Sequence, residues 1–445
     1  MSAPAAPPRA GLPAATRAML GLYGLAWRLV LPGLKRNARL REGWDWRTLS
    51  AGPPPKADLW LQAASGGEAY LAWELLARLP EFLPVGCIPN GRKPAVLVST
   101  FTSQGLGVLE RAREALSDRL DLLPAWFPFD APRRMERALA AVAPRAVALL
   151  ETELWPGLLA ACRRRGVPAL VLNGRMTGKS LAAYRHVPGF WRSLGPTRVL
   201  AVSDDDASRF ARLFPDARTG VMRNIKFDRL DFAPAPVRQD LAALLPGPPQ
   251  AAGGAPFIVL GSVRKQEEDA VLSIIKGLRE RVPGAVIGLF PRHMERVEAW
   301  DERLAAAGVP HARRSAGQPA RPGSVLVWDA FGELSAAFAL ASACFLGGSL
   351  ADLGGQNFLE PLAHGVVPVI GPSWSNFAWV GEEIFATGLV RQEADAQGVL
   401  DALCGLAQDI PDRQAVRRAA EEYALSRRGG AEAACQAVAE CLICG

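Results

Sequence analysis

Long apolar runs are missing from this 445-residue sequence. Its one apolar N-terminal stretch, MLGLYGLAWRLVLPGL (19–34), is broken by Arg28 and Pro32 and falls short of the roughly 20 residues that span a bilayer. No small-residue cleavage site follows it, so a secretory signal peptide is not expected. Paired cysteines are missing too: the seven cysteines, an odd number, are scattered from Cys87 to Cys444 without metal-ligand spacing, which argues against a disulfide framework and for a reducing compartment. Cys441 and Cys444 form a C-x-x-C pair with no strand–helix unit beside them, and are expected to lie in a frayed tail. A phosphate loop is also missing. NGRMTGKS (173–180) ends like one, but only three residues separate Gly174 from Gly178, one too few for successive N–H groups to curl around a phosphate. No strand ending in a magnesium-binding aspartate accompanies it, so hydrolysis of a nucleoside triphosphate is not expected.

What is present is the composition of an ordinary globular protein, 49% hydrophobic and 21% charged, long enough for two substantial cores. The net charge of +7 is concentrated near the start: Arg17, Arg28, Lys35, Arg36, Arg39, Arg41 and Arg47 stand against Glu42 and Asp45, so five of the seven net charges lie in that segment. An apolar, Trp- and Tyr-bearing stretch among cations has the makeup of a helix lying in an anionic membrane surface. The opposing expectation is a first helix packed on its own domain. Residues 1–45 are assigned as a membrane-associating segment, with an anionic membrane surface and not nucleic acid as the partner of the charge.

Beyond it, Val-, Leu- and Ile-rich runs alternate with helical periodicity, the pattern of parallel strands covered on both faces by helices. Strands are expected at 58–64, 95–100, 146–152, 169–174 and 198–203, and again at 257–262, 285–293, 324–330, 343–349 and 366–372. Between the two sets lies the densest Pro/Gly/Ala stretch. The expected organisation is a Rossmann-like domain at 46–232, a linker at 233–256, a second such domain at 257–425 and a tail at 426–445. Two α/β domains joined in this way imply a central cleft, faced by the loops at the carboxyl ends of both sets of strands.

Those loops carry chemistry. GGSLADLGGQNFLEPLAHG (347–365) passes through two Gly-Gly pairs before a helix expected near Asn357, where backbone N–H groups and the helix start would hold one phosphate. Glu360, in the first turn, is placed to accept hydrogen bonds from ribose hydroxyls. FPRH (290–293) brings Arg292 and His293 to another strand end, and Arg292 offers a planar fork to phosphate. In the first half, AASGGEA (63–69) puts Glu68 just past a strand, and ETELWPG (151–157) puts Glu151 and Glu153 past another; carboxylates facing one cleft suit general acid–base work. SDDDASRF (203–210) contains an Asp-x-Asp pattern, but Ser203 as N-cap followed by Asp204 to Asp206 reads as a helix start, and no metal is expected.

The ordered segments AASGGEA, STFTSQG, ETELWPG, LNGRMTGKSLAAYR, SDDDASRF, NIKFD, GSVRKQEED, PRH, WDAFGEL, GGSLADLGGQNFLEP and GPSWSNF resemble the Kdo transferase family of lipopolysaccharide synthesis, over about residues 15–425. The resemblance implies a GT-B glycosyltransferase that moves 3-deoxy-D-manno-oct-2-ulosonic acid (Kdo) from CMP-Kdo to a lipid A precursor at the cytoplasmic face of the bacterial inner membrane. It implies Glu68 as the base that deprotonates the acceptor hydroxyl, with Glu151 and Glu153 near the transferred sugar. Arg292, His293, Gly332, Glu333, Gly354, Gly355, Gln356, Asn357 and Glu360 would hold CMP, and Arg175 and Lys179 would meet anionic acceptor or sugar groups. No cofactor is implied. The chain departs from the family's pattern in having Gln356 where a histidine is usual and a second glycine before Glu68. The alternatives are another GT-B nucleotide-sugar transferase or epimerase, or a non-catalytic paralogue.

Overall fold

The apolar runs form two fully parallel sheets in the computed structural model, which describes residues 11–84, 86–88, 91–233, 236–247 and 255–444. The chain divides into two compact units, one of residues 1–229 with 427–445 and the other of residues 230–426. In the first unit β1 (Leu59–Gln62), β2 (Ala95–Thr100), β3 (Asp121–Trp126), β4 (Ala146–Leu150), β5 (Ala169–Gly174), β6 (Arg198–Ala201) and β7 (Arg218–Val221) lie in the order β3-β2-β1-β4-β5-β6-β7. In the second, β8 (Phe257–Val263), β9 (Val286–Pro291), β10 (His311–Arg313), β11 (Val325–Val327), β12 (Ala343–Leu346), β13 (Pro368–Ile370) and β14 (Arg391–Gln392) follow β10-β11-β9-β8-β12-β13-β14.

Side chains of the central strands alternate between two apolar layers: Trp60, Leu97, Val147 and Val171 enter one, and Leu59, Leu61, Val98 and Leu170 the other. The four strands not expected from the sequence, β3, β7, β10 and β14, are the four sheet edges. Strand order reverses between β1 and β4 in the first unit and between β8 and β12 in the second, the points outside which parallel sheets bind ligands.

The first helix, Ala14–Leu34, meets the expectation of a helix packed on its own domain. One face packs on its own unit: Thr16 and Leu20 are buried, Tyr23 donates a 3.1 Å hydrogen bond to Asp130, and the Trp27 ring lies 5.6 Å from that of Phe129. The other face leaves Leu22, Leu25, Leu29 and Val30 between 51% and 74% exposed. Among the described residues no helix is long and apolar enough to cross a membrane. Arg47, counted above with the surface cations, is instead fully buried; its guanidinium lies 4.5 Å from the Trp126 ring centroid and donates to the backbone oxygens of Glu42 and Phe101.

Two further expectations need correction. The tail expected at 426–445 carries a helix, Gly430–Cys444, with Ala431, Ala434, Cys435, Val438 and Cys441 buried. Its small-residue face lets it lie close against the helix Gly66–Phe82, where the Cys435 thiol donates to the Leu75 carbonyl oxygen at 3.2 Å. Asp228 caps its start by accepting from the N–H groups of Gly429 and Ala431 at 2.8 and 2.9 Å. Cys441 of the C-x-x-C pair is therefore core, while the Cys444 side chain lies outside the described residues. The linker at 233–256 also falls partly outside them. Within it, the short helix Gln239–Ala242 belongs to the second unit, with Leu241 and Leu244 buried.

Candidate active site

At the reversal point of the first unit the chain leaves β1 through Ala63-Ala64-Ser65 into the helix Gly66–Phe82. Ser65 is the N-cap, its hydroxyl oxygen accepting from the Glu68 N–H at 3.3 Å. The Glu68 carboxylate reaches back to accept from the Ala64 N–H at 2.8 Å and from the Ser65 hydroxyl at 3.1 Å. Ser65 thus caps the Glu68 N–H while Glu68 accepts from the N–H one residue before the cap, a variant of the reciprocal capping that S-x-x-E marks in a sequence. The extra glycine has a local reason. Gly66 opens the helix, and a Cβ there would stand 2.8 Å from the Gln104 side chain, which fills the space.

The chain leaves β4 through Glu151, whose φ of 55° is left-handed, and Pro156 then starts the helix Pro156–Arg165. Glu151 pairs with Lys226 at 2.9 Å. Glu153 accepts a 2.6 Å hydrogen bond from the Trp155 indole N–H. Burial, reinforced by the Glu68 and Glu151 charges, pushes the Glu153 carboxyl up to about 7, against the lowering effect of Trp155 and Gln62. Burial also raises Glu68, and the Glu151 charge adds to it, while the Ala64 and Ser65 hydrogen bonds and the Lys226 charge oppose the rise. The Tyr184 hydroxyl is raised by burial and by the Glu153 charge. The three sequence-predicted carboxylates are thus brought together, with Lys226, Gln62 and Tyr184 as neighbours that sequence reasoning missed. Lys226 stood in the quoted NIKFD; Gln62 was hidden at the end of an apolar strand. Carboxylates this close do not all ionise at one pH, so the cluster holds a proton near neutrality.

Arg175 and Lys179 follow β5. Thr152 donates to the Arg175 carbonyl oxygen, tying this loop to the acidic one. Thr177 N-caps the helix Gly178–Tyr184, in whose first turn Lys179 is exposed. The stretch resembling a phosphate loop is therefore a strand end and a capped helix start. Ser203 and Asp206 cap the helix Asp204–Leu213 reciprocally, at 3.1 and 2.7 Å, and Asp205 and Asp206 pair with Arg209. Among the described residues no group of three His, Cys, Asp or Glu is arranged to hold a metal ion.

The second unit has a cavity of about 420 Å³ beside the carboxyl ends of β8, β9 and β12. Arg292, Gly332, Gln356, Asn357 and Glu360 line it, together with Ser335 and the apolar Phe290. Burial raises the Glu360 carboxyl and a hydrogen bond with Ser335 opposes the rise. Four other expected residues are not part of that lining. His293 is exposed, 3.4 Å from Arg264. Glu333 is buried and held by Arg238, Arg314 and the Trp328 indole N–H at 2.8 to 2.9 Å, a charge-paired arrangement that keeps its carboxyl below the usual range. Gly354 and Gly355 have their N–H groups engaged by the Ser373 hydroxyl and the Gly348 carbonyl oxygen, at 2.9 and 2.7 Å.

The glycine-rich anion site is corrected with them. The N–H groups of Gly348, Ser349 and Leu350 donate to the carboxylate of Glu267, which is 1% exposed, so the protein's own side chain occupies the cradle a phosphate was expected to fill. The following helix, Leu359–Ala363, has only five residues, too short for a full macrodipole. Gly354 still needs to be glycine: its φ is +79°, and a Cβ would stand 2.5 Å from the Asn376 side chain.

A sequence model described as 3-deoxy-D-manno-octulosonic-acid transferase (kdotransferase) matches residues 37–229. The chain is 34% identical over 431 residues to the 3-deoxy-D-manno-octulosonic acid transferase of Bordetella pertussis, an alignment covering 92% of this chain and 96% of that protein. It is 27% identical over 376 residues to the enzyme of the same name from Haemophilus influenzae, covering 82% and 79% of the two chains. Among solved structures, a glycosyltransferase from Rickettsia africae aligns with a TM-score of 0.52 at 11% identity, over 84% of this chain and 94% of that one, a likeness of fold alone.

Proposed function

Since the chain belongs to the 3-deoxy-D-manno-octulosonic acid transferase family and is a glycosyltransferase of α/β GT-B fold, we propose that it moves Kdo from CMP-Kdo to a lipid A precursor, with inversion and with a glutamate as base. The observation that carries the mechanism is the carboxylate cluster at the β1/β4 reversal, with Glu153 pushed up to about 7. Displacement at the sugar's anomeric carbon requires the acceptor hydroxyl to lose its proton as the bond to phosphate breaks. Glu68 takes that proton. Its two hydrogen bonds, from Ala64 and Ser65, favour the anion, while Glu153 retains the shared proton and so limits repulsion of an anionic sugar. Glu151, paired with Lys226, flanks the pair.

Arg292, Gly332, Gln356, Asn357 and Glu360 contact CMP, Glu360 taking ribose hydroxyls. Glu333, Gly354 and Gly355 hold the surrounding loops in shape, and His293 has no assigned role. Arg175 and Lys179 meet anionic groups of the acceptor. The single phosphate of a CMP-sugar is neutralised by Arg292 without a metal ion.

The site of action in this proposal is the cytoplasmic face of the bacterial inner membrane. Supporting it are the exposed stripe of Leu22, Leu25 and Leu29 and an adjoining groove of about 510 Å³ lined by Arg17, Arg28, Arg133, Arg134, Arg137 and Arg164. The Arg134 cation is destabilised by burial and by the neighbouring Arg137, so the groove favours an anion. Mass spectrometry of a lipid A precursor incubated with the protein and CMP-Kdo is the test: one or more added Kdo masses are expected. CMP release without mass gain on that lipid would overturn the acceptor assignment, and no CMP release would overturn the transferase reading.

A further inference from the structure

A glutamine closes the otherwise apolar strand β1, LWLQ, and is completely buried. Trp60 and Gln62 share one face of that strand, and Ser99 of β2 stands in register with Gln62. The Trp60 indole N–H donates to Ser99 Oγ at 2.7 Å, and the Ser99 hydroxyl is 2.6 Å from Gln62 Oε1. An indole nitrogen only donates, so the serine oxygen accepts there, and its own O–H is given to Gln62 Oε1. With the carbonyl oxygen held by Ser99, the NH₂ group is turned the other way. Gln62 Nε2 is buried with no hydrogen-bond partner among the described residues; Gln62 stands in register with Leu149 of β4, four residues before Glu153, and its amide favours the Glu153 anion.

We propose that Gln62 is a positioning residue for Glu153: its carboxamide, locked in one orientation by Trp60 and Ser99, presents its N–H pair to the Glu153 carboxylate and sets where the shared proton resides. The proposal rests on Glu153 belonging to the transfer centre. A buried amide left without a full partner is costly, and satisfying Trp60 needs only the serine, so the glutamine is not explained by packing. As Glu153 ionises, the contact tightens into a charge-assisted hydrogen bond. The other groups facing Glu153 act in both directions. Glu68 and Glu151 disfavour its charge and the Trp155 N–H favours it. Lys226 is engaged with Glu151, and Tyr184 is a neutral hydroxyl whose own ionisation Glu153 opposes.

The test is the titration of Glu153 in the full-length protein, followed by carboxyl ¹³C resonances of labelled glutamate and assigned by their loss in Glu153→Gln, beside the pH dependence of kcat for Kdo transfer. Gln62→Met keeps the volume and removes the N–H pair; the Glu153 midpoint should rise by about one unit, and the limb of the pH profile that follows it should move with it while the KM for CMP-Kdo holds. Ser99→Ala leaves Gln62 and Glu153 in place but unlocks the amide, and should shift the midpoint in the same direction by less. Midpoints unchanged in both folded variants, with only a lowered Tm, would reduce Gln62 to a structural residue. If Gln62→Met does not fold, the Ser99→Ala midpoint decides alone. Shifted midpoints in a protein that transfers no Kdo would uphold the inference and sink the functional reading; unshifted midpoints with full transfer would do the reverse.

Discussion

Replacing Glu68 by glutamine separates its two roles, because a glutamine carbonyl oxygen still accepts the Ala64 N–H whereas it cannot take a proton from the acceptor. Glu68→Gln is therefore expected to keep the parent's Tm within a degree or two while Kdo transfer falls by about 10² or more; Glu68→Ala should lose both. Glu360→Gln should weaken CMP binding in calorimetry with less effect on the chemical step. Glu153 carries a pH signature. Its folded-state carboxyl stands at about 7 against an ordinary 4.5, so the stability it contributes as a neutral group is complete below about 4.5 and is lost as pH rises through about 7. Glu153→Gln should accordingly gain Tm relative to the parent across that window and hold the gain above it; a constant Tm difference from pH 4 to 8 would refute the raised value. Glu68 and Glu153 were legible because each lies within six residues of the end of an apolar run, so a strand end and a carboxylate stood close together in the sequence. Glu267 was not. The N–H groups it satisfies belong to Gly348, Ser349 and Leu350, more than 80 positions away, and no local pattern marks a partner at that distance.

At the scale of the element, the first helix divides its faces between Tyr23, Trp27 and Leu20 inward and Leu22, Leu25 and Leu29 outward. The triple variant Leu22→Ser, Leu25→Ser, Leu29→Ser should lose binding to anionic vesicles in a flotation assay yet leave Tm nearly unchanged, since those side chains leave little apolar contact behind. High salt should weaken binding of the parent, because the arginine groove acts over a Debye length of about 8 Å at physiological ionic strength. If the triple variant floats as the parent does, the outward face is not the membrane contact. Whether this helix packs or lies on lipid could not be decided from its sequence, because a stripe of leucine serves either and the buried partner, Asp130, sits 107 residues from Tyr23. The strands show a similar limit. Runs such as AVALL are apolar throughout because both faces are covered, and these were legible. The edge strands bear Asp121, Pro124, Arg218, Arg313 and Arg391, residues that discourage a further strand from joining and erase the apolar run by which a strand is recognised.

For the molecule as a whole, the pattern of two parallel-sheet domains was readable because each restarts the same alternation after a Pro/Gly/Ala stretch. What could not be read is that the chain comes back. The last helix resembles a tail in sequence, being alanine- and cysteine-rich and near the end, and only the surface offered by the helix Gly66–Phe82 makes it core. The second unit is thus inserted within the first, which is closed by Asp228 accepting from Gly429 and Ala431. On the ribosome, where domains generally fold from the N-terminus as they emerge, the first unit cannot finish when its own sheet is complete. An apolar surface on Gly66–Phe82 must wait, uncovered, while nearly 200 further residues are translated, about 10–40 s at usual bacterial rates of roughly 5–20 residues per second. A nascent chain stalled before residue 427 should therefore crosslink to chaperones through that helix, and one released after residue 445 should not.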